Sequence, residues 1–242
     1  MTYRLNPHLT LVVACWIVGL SPAAWALKPD NITASEMAML PRYCPDSQTF
    51  KELNQVHYSP ETQKWVDAMG VGFFHVHHYC WARINYQRAQ RMTRYLRDLK
   101  LQEVHGDLLY VINNASPDFI LLPEVYTWLG RTDTQLDFPR EADQAFEKAR
   151  SLKPDYWPAY FHWAEWLRSK GKRAEALQMV GTGLQYAPSS RPLLLLYKDL
   201  GGKPADIPPP ILKAQEEDAE PPPAAQPDSP LAPPMGPKTP LP

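Results

Sequence analysis

The sequence predicts an all-α fold. Helical hairpins stack into a solenoid, with an irregular N-terminal segment before them and a disordered proline-rich tail after them. Three observations predict it. First, the stretches at 145–155 (AFEKARSLKPD) and 176–190 (ALQMVGTGLQYAPSS) place Pro154 and Pro188 34 positions apart. That is the period of a helix–turn–helix repeat, and one such hairpin cannot bury its apolar face alone, so hairpins must stack. Second, Phe73, Val76, Cys80, Ile84, Ala89 and Met92 recur at close to helical spacing. Third, fourteen of the last forty residues are proline and none is aromatic, a composition that cannot bury enough apolar area to offset the entropy of ordering.

Taken in order, residues 1–26 read as a cleaved signal peptide. A polar start with Arg4 is followed by an apolar run from Leu9 to Leu20, then Ser21 and Pro22, then Ala24-Trp25-Ala26 as an A-x-A site. The run is well short of the ~20 apolar residues needed to span a bilayer, so the mature chain is expected to begin at Leu27 with no stable membrane span. Val12 to Cys15 also resembles a lipoprotein box; cleavage there would cut the apolar run to about six residues, below the usual minimum. The absence of an Arg-Arg pair favours general secretion over twin-arginine export. The address is therefore periplasmic or secreted.

The helical domain is expected over 27–202. Its first part, 27–59, is turn-rich, with Pro29, Pro41 and Pro45. Thr33 or Ser35 can cap a short helix there. Cys44 and Cys80 are the two cysteines left after signal cleavage, and an even pair in an exported chain reads as a disulfide. Closing a loop of roughly 37 residues stabilises by about 3–4 kcal/mol on chain-entropy grounds. Ser59 followed by Pro60 starts a helix running to about Met69. Gly70 and Gly72 then flank a break. A long helix is expected over 73–99, another over 102–113, and the next over 122–132. Asp137-Phe138-Pro139 closes a turn before helix 140–152. Tyr156-Trp157-Pro158 opens a helix that Gly171 stops in a left-handed cap. Helix 172–186 follows, then a capping helix over 191–200, and Gly201-Gly202 ends the domain. The tail, 203–242, should be extended, at about 3.1 Å per residue, and it carries an acidic patch at Glu216, Glu217, Asp218 and Glu220. It reads as a solvated tail, a spacer, or a ligand for a proline-binding groove.

Within 123–156, Tyr126, Leu129 and Gly130 are followed by Ala142, Phe146, Ala149 and Pro154. Within 157–190, Tyr160, Trp163, Ala164 and Leu167 are followed by Ala176, Val180, Gly183 and Pro188. Small residues let helices approach closely, and large ones fill the space left over. This pattern resembles the tetratricopeptide repeat (TPR) family. Asp133 stands where that family carries a large residue, a departure expected to loosen its helix, and Val180 and Gly183 match less well than Phe146 and Ala149. The resemblance implies a TPR-like solenoid whose first helices line a concave groove for a partner protein or peptide. The lining positions then fall on Glu124, Thr127 and Arg131 in one unit and on Phe161, Glu165 and Arg168 in the other. Fold does not fix function, so the expectation is a scaffold or adaptor, with no cofactor.

His75, His77 and His78 form the main competing constellation. On a regular helix His75, His78 and Tyr79 share a face while His77 points towards Cys80 and Trp81. Neutral imidazoles at His75 and His78 could hold a metal or haem with a further ligand; the plainer reading is packing in an aromatic helix. The stretch also resembles one found ahead of repeats in exported bacterial proteins, a likeness that supplies no activity. A third reading is an envelope-complex assembly factor tethered by the tail. No G-x-S-x-G elbow, H-E-x-x-H helix or phosphate-cradling loop occurs, so no enzyme is expected. Net charge is −1, which offers no broad basic face for nucleic acid.

Overall fold

Capping explains where the chain first becomes helical. In a computed structural model, which describes residues 28–47 and 59–211, Thr33 accepts from the Glu36 amide while Glu36 bonds back to the Thr33 amide. This reciprocal box starts α1 (Ala34–Ala38). Ser59 caps α2 (Pro60–Met69), with Pro60 at the first position. Seven longer or capping helices follow among the described residues: α3 (Val76–Ala89), α4 (Arg94–Asn114), α5 (Leu122–Gln135), α6 (Pro139–Leu152), α7 (Trp157–Ser169), α8 (Arg173–Tyr186) and α9 (Arg191–Asp199). No strand occurs among the described residues. The all-α expectation is met. The leader expected at 1–26 and the part of the expected tail from 212 onward lie outside the described residues.

Each helix packs on its successor from α3 to α9, and α5 also packs on α7 and α7 on α9. Tyr79 of α3 bonds Glu124 of α5. Helices α3, α5, α7 and α9 therefore lie side by side, backed by α4, α6 and α8. The buried side chains form two clusters. One joins the N-terminal segment to α3, α4 and α5. The other joins α6, α7, α8 and α9. Tyr126 packs against both.

Size complementarity brings the second set of helices together. A Cβ at Gly130 would stand 2.8 Å from the Phe146 ring, and one at Gly183 would stand 2.8 Å from Tyr160 and 2.9 Å from Leu193. Real Cβ atoms do not approach that closely, so glycine sets the approach of α5 to α6 and of α8 to α7. Gly183, the weaker match by residue type, is thus as sterically constrained as Gly130.

The structure corrects four expectations. The helix expected over 73–99 is two elements. Val71–His75 is a 3-10 turn, α3 ends at Ala89, and Thr93 in extended conformation (φ −62°, ψ 156°) restarts the chain as α4. The turn at 90–93 contains neither Gly nor Pro, so the usual punctuation is missing. The helix expected over 102–113 is accordingly the second half of α4. Asp133 does not loosen α5: it is buried and accepts a 2.8 Å bond from His105 Nδ1 on α4. Finally, the folded part continues to Ile211. Ile207 packs on the second cluster, and the Ile211 amide donates to the Gln185 carbonyl at 2.9 Å.

Candidate functional site

The two sets of expected groove residues have different surroundings. Phe161, Glu165 and Arg168 lie one turn apart on α7, where the spacing of four and three places them on one face. They line an open cleft of about 440 Å³ together with Arg191, Leu195 and Asp199 of α9. Glu165 and Arg168 pair with each other at 2.7 Å. Phe161 is half-buried, its ring edge-on to Trp157. The cleft thus offers an aromatic floor, an apolar wall and charges of both signs.

Leu195 and Arg191 were not among the expected lining residues. Four consecutive leucines, Leu193 to Leu196, carried the signal. A helix cannot turn four successive side chains inward. Leu193 and Leu196 are buried, while Leu194 and Leu195 stay exposed.

Glu124, Thr127 and Arg131 on α5 are instead engaged inside the fold. Thr127 is buried, and its hydroxyl donates to the Pro123 carbonyl at 2.8 Å. Glu124 accepts from the Tyr79 hydroxyl and lies 3.4 Å from Arg83 Nη1. Burial, then the Glu124 charge, pushes the Tyr79 phenol well above its usual range, so it stays a donor. The Arg131 guanidinium lies 3.9 Å from the Trp128 ring centre and Arg83 4.3 Å from it. Burial lowers the Arg131 pKa, and no carboxylate pairs with it among the described residues. The cause of the difference is the neighbour. Bulky Tyr79, Arg83 and Tyr86 of α3 fill the space beside α5, whereas α9 presents short leucines beside α7.

The histidines also meet different surroundings. His75 ends the 3-10 turn just before α3, and its ring and that of His78 both meet Tyr110. His77 and His78 also come together, with ring centres 4.4 Å apart and both rings against Trp81. His75 meets Tyr110 edge-on. His77 Nδ1 donates to the Phe74 carbonyl at 3.0 Å. Burial, helped by His78, holds its pKa down at about 4. His78 Nδ1 donates to Asp107 Oδ1 at 2.7 Å, and its ring lies over Tyr110 at 3.8 Å. Burial raises the Asp107 pKa against that hydrogen bond. No group of three or more His, Cys, Asp or Glu is placed to hold a metal among the described residues. Cys44 and Cys80 form a disulfide, with Cα atoms 5.8 Å apart.

A second cleft, of about 610 Å³, opens between α6, α7 and α8. Trp163 and Trp166 stack in it at 4.6 Å and 7°. The repeat pattern places Trp163 in the core, which hides this role from the sequence. Searches against family models, curated proteins and solved structures return no match to the chain.

Proposed function

We propose that the chain is an exported scaffold that holds an extended segment of a partner protein in the cleft between α7 and α9. One observation carries the reading. The three residues chosen on α7 by repeat position line one open cleft, and α9 closes its far side with Arg191 and Leu195. Extended peptides suit such a floor, because alternate side chains meet apolar ground while charges at the rim pair with polar groups. The TPR-like solenoid is part of this proposal. It is supported by the 34-residue period, the contacts of α5 with α7 and α7 with α9, and the close approaches at Gly130 and Gly183.

Export is proposed with it. The Cys44–Cys80 disulfide suits an oxidising compartment, and the 1–26 segment has the order of a leader. No helix among the described residues is long and apolar enough to cross a membrane. The tail from 212 onward serves in this reading as a spacer that needs no fold of its own.

Site-specific photocrosslinking in the native host tests the cleft. A photoreactive residue at Phe161 or Leu195 should capture the same partner, and one at Thr127 should capture none. Equal capture from all three positions, or none from Phe161 and Leu195, overturns the assignment.

A further inference from the structure

The turn between α3 and α4 exposes an unusual mixture. Every residue from Gln90 to Leu96 is exposed, and Leu99 follows on the same outer surface. Tyr95 is 74 % exposed and Leu96 52 %, with Met92 and Leu99 also open. A contiguous group of apolar side chains facing water calls for an occupant. The same stretch holds Arg91, Arg94, Arg97 and Lys100 against a single carboxylate, Asp98. Arg97 uses that carboxylate at 2.9 Å, and Lys100 pairs with Glu103 at 2.5 Å. Arg94 lies 3.9 Å from Asp98 with its side chain 89 % exposed. Arg91 has no carboxylate within 4 Å among the described residues. The first turn of α4 carries no acidic residue to neutralise these cations, although an acid there would stabilise the helix.

Helical geometry points to the occupant. At the start of α4, Tyr95, Leu96 and Leu99 share one side while Arg94, Arg97 and Lys100 share the other. An exposed apolar side flanked by cations suits a lipid headgroup layer. Long cationic side chains reach up to phosphates while neighbouring leucine, methionine and tyrosine side chains enter the acyl boundary. Tyrosine is favoured at that depth.

We propose that the α3–α4 turn rests on an anionic phospholipid surface, with Tyr95 and Leu96 inserted and Arg91 and Arg94 on the phosphates. The contact is peripheral and independent of the α7–α9 cleft.

Vesicle flotation of the full chain tests it, using phosphatidylcholine alone and an equal mixture with phosphatidylglycerol. Binding should be at least about tenfold stronger to the anionic vesicles and should weaken with salt. A double variant Arg91→Glu, Arg94→Glu should lose that preference. Leu96→Gln, which leaves the charge of the patch unchanged, should weaken binding by a similar factor. Amide hydrogen exchange locates the contact, with slowing expected over 91–99 on anionic vesicles. Full binding by Leu96→Gln would mean charge adsorption without insertion and would overturn the proposal. Unchanged exchange over 91–99 would do the same.

Discussion

The two halves of the stack solve the same packing problem with different materials. In the second half, α6 to α9, small residues face large ones: Gly183 against Tyr160, Ala142, Ala164 and Ala176 beside Phe146 and Trp163. Its ion pairs lie mostly outside, as Glu165 with Arg168 and Lys172 with Glu175. Arg150 is the exception, resting 5.6 Å from the Tyr160 ring with its pKa lowered by burial. In the first half, polar cross-links join bulky side chains between elements. His78 reaches Asp107, His105 reaches Asp133, Arg83 and Tyr79 reach Glu124, Arg88 reaches Glu36, and Cys80 is bonded to Cys44. Size matching has to recur in the sequence wherever it is used. A cross-link can join any two positions that the fold brings together.

The sharpest way to break this comparison is to empty one knob of the second half. Phe146 is fully buried against Gly130. Phe146→Ala should cost about 3–5 kcal/mol, because the backbone at Gly130 cannot collapse into the space. Denaturant melts measure the total. Amide exchange assigns it, with acceleration in α6 and α7 expected to exceed that in α3. Equal acceleration throughout would mean that the halves share one core.

The same contrast explains what the sequence made legible. The period and the caps at Ser59 and Gly171 were readable, because each follows from residue type at a fixed spacing; Thr33 was one of two cap candidates, and the α7 face of the cleft came from the family resemblance. The α3–α4 break was not, since the turn at 90–93 has no glycine or proline and depends on Thr93 leaving helical geometry. The internal engagement of Glu124 and Arg131 was hidden for a different reason. Their partners Tyr79 and Tyr86 lie some forty residues away in the chain, and no local pattern reports a contact over that distance. Asp133 illustrates the general case: judged alone it is a misfit, and His105 makes it a bond.

Reducing the disulfide acts on the other half. Cys44→Ser with Cys80→Ser should cost about 3–4 kcal/mol through the entropy of the unfolded chain. Exchange should rise first in α1, in the segment around Cys44 and in α3, while α7 and α8 keep their protection. A loss spread evenly to α8 would show that the N-terminal segment stabilises the whole stack and not only its first half.

Acid offers another way to compare the halves, through a pH dependence that both contribute to and only one extends. Burial holds His77 in the first half and His162 in the second at about 4, against an ordinary value of 6.5. Between those values the unfolded chain binds protons that the folded chain refuses. Stability should therefore be at its full value above pH 6.5, fall as pH drops towards about 4, and level off below. Each histidine accounts for about 3 kcal/mol. Replacing either His77 or His162 by glutamine should remove about half of the slope in a series of melts. Glu36 adds a further window in the first half alone. The Arg88 hydrogen bond holds its carboxyl at about 2, below the ordinary 4.5, so its contribution is present above pH 4.5 and is lost as pH falls through about 2. Arg88→Gln should shrink this lower step, with the Thr33 bonds keeping part of it, and should leave the histidine step unchanged. A lower step of unchanged size in Arg88→Gln would place the acid-sensitive carboxylate elsewhere and would make the two halves alike in their response to acid.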